Sequence, residues 1–139
     1  MKALTVCQPY ANLIVESPVL KRVENRSWAT PYRGRVAIHA GKSKSWLKGY
    51  EGRWPRNMPY GAVVGVATIA DCVAFNGLNR LPEAVEMRWP WLADHPHASG
   101  PFCWILEDAR QFREPIPATG ALGFWVWEPP ADWESLLVG

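Results

Sequence analysis

The run from Gly61 to Phe75 constrains this chain most. Ala62-Val63-Val64-Gly65-Val66-Ala67-Thr68-Ile69 is apolar almost without interruption and ends near Asp71-Cys72-Val73. A strand with one wet face alternates apolar and polar residues, so an unbroken run predicts a strand covered on both faces. Shorter β-type runs surround it: Lys2 to Val6, Arg22 to Trp28, Arg35 to Ala40, Phe102 to Glu107 and Leu122 to Glu128. Gln111 to Ile116 is a further candidate, which Pro115 and Pro117 would confine to a sheet edge. The links between these runs are loops and short helices, not long crossover helices. That pattern predicts an α+β fold with a small, mostly antiparallel closed sheet of five or six strands.

Helical signals are brief. Pro9 suits a first helical position, and Tyr10, Leu13 and Ile14 fall on one stripe before Ser17-Pro18 ends the turn. Ser43 to Tyr50 predicts a second short helix, followed by an irregular loop over Glu51 to Tyr60. Asn76 to Ser99 is polar and broken by proline, with one helical turn expected near Glu83 to Arg88. The 139 residues fit one domain, with a core over 2–128 and a loosely packed tail over 129–139 touching through Trp133 and Leu136. No apolar run reaches membrane-spanning length and no signal peptide is visible, so a cytoplasmic protein with no membrane partner is expected. Cys7, Cys72 and Cys103 are odd in number and far apart, which predicts buried thiols rather than disulfides or a zinc site. His95-Pro96-His97 lacks a third ligand, so no metal and no cofactor are expected.

Charge is distributed unevenly. Between Leu20 and Arg56 stand Lys21, Arg22, Arg26, Arg33, Arg35, Lys42, Lys44, Lys48, Arg53 and Arg56, opposed only by Glu24 and Glu51, a local net of +8. The rest of the chain nets −6. A field divided this way suits a polyanion on one side of the molecule. Tryptophan is abundant, with nine copies, and Trp28, Trp46 and Trp54 lie in the basic stretch with Tyr10, Tyr32, Tyr50 and Tyr60 nearby. Aromatics among cations suit base stacking with phosphate contact, while Trp104, Trp125 and Trp127 lie in strand-like runs and read as core.

Strand alternation places Arg22, Glu24, Arg26 and Trp28 on one face and Val23, Asn25 and Ser27 on the other. Glu24 can hold its neighbouring guanidiniums while their remaining N–H groups meet an anion. The opposing reading is a surface ion pair without function.

The order Gln8-Pro9-Tyr10-Ala11-Asn12-Leu13-Ile14, Lys21-x-x-Glu24-x-Arg26-Ser27-Trp28 and Tyr32-Arg33-Gly34-x-Val36-x-Ile38-His39-Ala40-Gly41-Lys42 resembles the ASCH (activating signal cointegrator homology) domain. Gly61 to Val66, Asp71-Cys72, Gly100 to Leu106 and Gly120 to Trp125 continue the likeness to about Glu128. Val19 replaces the glycine of the hallmark G-x-K-x-x-E-x-R, within a longer Ser-Pro-Val-Leu connection that bears on where Lys21 points.

The resemblance implies a PUA-like β-barrel with a cleft beside the Lys/Glu/Arg strand. PUA relatives bind RNA, the similar domain of a eukaryotic transcription coactivator binds DNA, small bacterial members hydrolyse N4-acetylcytidine, and ribonuclease activity belongs to the family too. Two functions therefore stay open. As a nucleic-acid or nucleotide-binding module, the chain would use Gln8, Tyr10, Lys21, Arg26, Trp28, Arg33, Arg35, His39, Lys42 and Lys44, although helix capping suits Gln8 equally and a structural role suits His39 better than the cleft. As an amidohydrolase of a modified nucleoside, it would use Lys21 and Glu24. The hydrolases carry threonine at the position of Glu24, whose carboxylate would tend to keep Lys21 protonated. Their second acidic residue has only a positional counterpart, Asp71. A weaker third reading is a module showing its tryptophan-rich surface to a protein.

Overall fold

The computed structural model describes residues 1–47 and 58–139. Among the described residues, six strands, two α-helices and three short 3-10 turns give the expected α+β class. In chain order they are β1 (Lys2–Val6), α1 (Tyr10–Val15), β2 (Val23–Arg26), β3 (Gly34–Ala40), β4 (Ala62–Ala74), α2 (Glu83–Arg88), β5 (Phe102–Pro117) and β6 (Phe124–Val126). The sheet order is β2-β5-β4-β3-β1-β6. It is mixed: β1 runs parallel to β3 and antiparallel to β6, and β2 runs antiparallel to β5.

The apolar run behaves as its composition requires. Val63, Val64, Val66, Ala67 and Ile69 of β4 are all buried, so both faces of the strand are covered. Gly65 is there because there is no room for more. A Cβ at that position would lie 2.3 Å from the Arg110 carbonyl oxygen and 2.7 Å from Val15 Cγ1. In β5 the sequence reading needs correction. The two segments read separately, Phe102 to Glu107 and Gln111 to Ile116, form one strand of 16 residues. Asp108 takes a positive φ of 49° within it. One residue in the left-handed region bends the strand where the apolar pattern lapses, without ending it. The helix expected over Ser43 to Tyr50 is a single 3-10 turn, Ser45–Leu47, within the described part. The rest of that expectation, and most of the Glu51 to Tyr60 loop, lies outside the described residues.

The chain divides into two compact units. The first comprises Met1–Leu20, Arg35–Thr68 and Asp108–Gly139. Its core joins Ala3, Ala37, Val63, Val66, Phe112, Trp127 and Leu137, with Trp133 and Leu136 packed against it. The tail is thus tied down rather than loose. Phe112 bridges to Leu137, and the Val138 amide donates to the Gln111 carbonyl at 2.7 Å.

The second unit comprises Lys21–Gly34 and Ile69–Glu107. Val23, Val73, Phe75, Leu81, Trp89, Leu92, Cys103 and Ile105 form its core. Fully burying side chains of this size stabilises by about 1.5–3 kcal/mol each, enough to fix β2 on β5. Cys103 is buried, whereas Cys7 and Cys72 are only half-buried; none of the three forms a disulfide.

Candidate functional site

The expected Lys/Glu/Arg strand is β2, in the second unit. Its register on β5 pairs Val23 with Ile105, Glu24 with Trp104, Asn25 with Cys103 and Arg26 with Phe102. The apolar Val23 enters the core, so alternation turns Glu24 and Arg26 to the other face beside Trp104. Trp104 is fully buried beneath them. Its indole N–H donates to the Trp28 carbonyl at 3.3 Å, and the two indoles meet edge to face with centroids 4.6 Å apart. Trp28 remains 39% exposed.

Glu24 is the hub of the charged groups. Lys21 Nζ donates to Glu24 Oε1 at 2.7 Å and to the Val23 carbonyl. Arg26 approaches the other carboxylate oxygen, with Nη2 at 2.8 Å and Nε at 3.1 Å from Oε2. Lys21 is only 3% exposed and Glu24 7%, whereas the Arg26 side chain is 21% exposed. Burial pushes the Glu24 carboxyl up, but the charges and hydrogen bonds of Lys21 and Arg26 outweigh it and hold the group below the ordinary carboxylate value. Lys21 and Arg26 therefore converge on one carboxylate.

A loop missed by the sequence reading of the site packs against the same strand. His95 Nε2 accepts the Arg22 backbone N–H at 3.0 Å, which requires that nitrogen to be unprotonated. Burial, then His97, Arg22 and Lys21, lower the His95 pKa to about 4. Burial and Lys21 lower that of His97 as well. Asn25, on the core-side face of β2, clamps the far end of the loop. Its Nδ2 donates to the His97 carbonyl at 2.7 Å, and its Oδ1 accepts from Ser99 and Gly100 at 3.0 and 2.9 Å. Gly100 adopts a φ of 73°, and a Cβ there would lie 1.6 Å from the Phe75 carbonyl oxygen. Only glycine fits this approach. The two histidines are not part of a metal cluster: no group of three or more metal-ligating side chains occurs among the described residues.

The other candidates fall into two sets. Arg33 belongs to the second unit, where Asp71 Oδ1 at 3.0 Å and the Thr30 and Tyr32 carbonyls take up its guanidinium. Gln8, Tyr10, Arg35, His39, Lys42 and Lys44 belong to the first unit. Gln8 is fully buried, with Oε1 accepting the Asn12 amide and Nε2 donating to Asn12 Oδ1 and the Pro59 carbonyl. Its side chain thus organises α1. His39 is buried between Thr5 Oγ1 at 3.1 Å and the Ala118 carbonyl at 2.7 Å, with Trp125 edge-on. Tyr10 is half-buried. Arg35 lies over the Trp133 ring and Lys44 over the Tyr60 ring. Lys42 is exposed. Lys48, Arg53, Trp54 and Arg56 lie outside the described residues.

The profile of the ASCH domain matches residues 4–116, most of the chain and all of β2. The chain belongs to the ASCH domain family. Among ASCH relatives, activating signal cointegrator 1 of Mus musculus is 37% identical over 135 residues, and that of Homo sapiens 27% over 135. Each match covers 88% of this ASCH chain and 21% of the relative, so the chain spans about a fifth of their length. The crystal structure of ASCH from Zymomonas mobilis aligns with a TM-score of 0.48 at 19% identity, covering 84% of this chain and 72% of that one. No helix among the described residues of this ASCH domain is long and apolar enough to cross a membrane.

Proposed function

We propose that this ASCH domain binds nucleic acid, with Arg26 meeting phosphate and Trp28 stacking on a base. The observation that carries the reading is the shared carboxylate. Glu24 fixes the Arg26 guanidinium through two N–H groups, at 2.8 and 3.1 Å, over the Trp104 ring, which Trp28, itself 39% exposed, meets edge to face. A guanidinium held this way loses little entropy on meeting a phosphate, and the exposed indole supplies a sequence-tolerant platform. Lys21 is too buried to track a phosphate backbone. Its ammonium instead helps hold Glu24 ionised and in place. The RNA or DNA partner expected from the sequence is retained, with Arg26 and Trp28 as contacts and Lys21 and Glu24 as support.

The hydrolase reading draws no support from this geometry. Attack by Lys21 on an acyl carbon needs a lone pair on Nζ, whereas Nζ is engaged as a hydrogen-bond donor to Glu24 Oε1 and the Val23 carbonyl. Asp71 is bound to Arg33 and to the Cys72 amide.

Fluorescence anisotropy of a labelled single-stranded octanucleotide, titrated between about 50 and 200 mM salt, tests the proposal. Each phosphate contact contributes a slope of about −0.7 in log K against log salt for a single strand. Arg26→Ala should weaken binding and flatten the slope by about that amount. Absence of binding at low salt, or an unchanged slope in Arg26→Ala, counts against it.

A further inference from the structure

Arg22, expected beside Glu24, departs from Lys21 and Arg26, which pair with that carboxylate. It is exposed, and no carboxylate pairs with it among the described residues. Its guanidinium carbon lies 3.9 Å from the centroid of the Trp91 ring, directly over it. His95 meets the same indole edge to face at 5.3 Å, and His97 lies 5.8 Å beyond His95. The His95 bond to the Arg22 amide fixes the loop bearing Trp91 and His95 to the strand bearing Arg22. The result is a cation laid on an aromatic support, held from two sides.

This cluster has the composition of a base-stacking site. A guanidinium over an indole offers its outer face to a nucleobase and its edge to a phosphate. A second cation–aromatic pair stands four residues on, where the Arg26 guanidinium carbon lies 5.9 Å from the Trp104 ring centroid and Trp28 meets that ring edge to face. Arg22 and Arg26 are four residues apart on an extended chain, about 13 Å at roughly 3.3 Å per residue. The ladder to β5 is continuous between them, since the Leu106 amide donates to the Arg22 carbonyl at 3.0 Å. Two cation–aromatic clamps thus stand at the two ends of one short extended segment, residues 22–26.

We infer that Arg22 on Trp91 forms a second stacking clamp, and that the two clamps, one just before β2 and one at its end, select single-stranded nucleic acid over duplex. The inference rests on the binding reading above and adds the strandedness of the ligand and the residues that read it. Duplex bases are stacked on one another and offer no face to an indole or a guanidinium, whereas a single strand offers one at each clamp. A mononucleotide engages one clamp; an oligonucleotide engages both.

The test uses the full chain with fluorescein-labelled oligouridylate and oligothymidylate octamers, a labelled 12-base-pair duplex, and unlabelled uridine monophosphate as competitor. Arg22→Gln and Arg22→Lys are each expected to weaken both octamers at least about 5-fold, the lower end of what one stacked base contributes. Lysine keeps the charge, so its failure to rescue separates stacking from simple attraction. Trp91→Phe is expected to weaken the octamers less than Arg22→Gln, and Arg80→Gln, which removes an exposed charge elsewhere in the unit, to change them less than 2-fold. Competition by the monophosphate at the Arg26 clamp is expected to survive Arg22→Gln. Two results overturn the inference while leaving the binding reading intact: octamers bound equally by wild type and Arg22→Gln, or duplex bound as tightly as single strand. Absence of binding to any probe removes both. The octamer with the higher affinity assigns the ligand to RNA or DNA.

Discussion

Glu24→Leu removes one carboxylate and strands two cations unequally. Lys21 is 3% exposed, with its Nζ 2.7 Å from the lost oxygen, so its ammonium stays buried without a counter-charge. Arg26, with a side chain 21% exposed, can turn toward water. Removing one partner of a buried ion pair costs about 3–5 kcal/mol, because the remaining charge is still desolvated. Against a typical domain stability of about 5–15 kcal/mol this is a large fraction. Each kcal/mol moves Tm by roughly 3–5 °C at this chain length, so a fall of roughly 10–20 °C is expected. The companion variant Lys21→Met/Glu24→Leu removes the stranded charge and should recover at least about 2 kcal/mol relative to Glu24→Leu. Urea and thermal unfolding followed by circular dichroism measure both. A cost below about 1 kcal/mol for Glu24→Leu, the value of an exposed pair, would refute the claim that this carboxylate organises the site.

Acid should act through two separate windows. The His95 pKa lies near 4 in the folded chain against about 6.5 unfolded, so the unfolded state takes up the proton first and stability falls as pH drops from about 6.5 toward 4; His95→Gln should flatten that limb in urea titrations at stepped pH. Glu24 is held below its ordinary value, so its contribution is complete above the unfolded carboxylate pKa and disappears only as pH falls through the lower folded value; Glu24→Leu should abolish that limb and leave the histidine limb in place. Asn25→Ala should cost about 1–3 kcal/mol by freeing the Ser99 and Gly100 amides, and should accelerate hydrogen exchange at those two residues above that of β4. Gly65→Ala should destabilise by about 1–3 kcal/mol, since a methyl has no room beside the Arg110 carbonyl, and crystallography or chemical shifts should show Val15 displaced.

The parts of the fold that could be read from sequence are those set by local chemistry. The unbroken apolar run predicted β4 within a residue at either end, and the single polar turn at Glu83 to Arg88 is α2. β5 was read as two strands because Asp108 and its charged neighbours imitate a turn, and the backbone absorbs them with one positive φ. The tail looked loose because Trp133 and Leu136 are isolated in sequence; their partners, Phe112 among them, come from distant strands.

At the site, alternation puts Glu24 between Arg22 and Arg26; the structure keeps Arg26 and sets Lys21 where Arg22 was expected. Spacing does not report depth. Lys21 read as a mobile point charge, and the structure buries it. Sequence leaves Gln8 open between a base contact and a helix cap, and favours a structural role for His39 over the cleft. The structural roles hold: Gln8 bonds Asn12 in α1, and what sequence could not supply are the partners from other segments, Pro59 and Ala118, 51 and 79 residues away. The same distance hid Arg22 and Trp91. Nothing local joins residue 22 to residue 91, although an arginine followed by a buried strand and a Trp-x-x-x-His loop later in the chain is the signal that exists.

An NMR titration of the 15N-labelled chain with the unlabelled octanucleotide addresses the proposed contacts without mutation. Movement concentrated on the Trp28 indole N–H and the Arg26 Nε–H, with the buried Ile69 and Ile105 amides still, is the predicted outcome. Saturable binding that leaves those two signals where they began would contradict it.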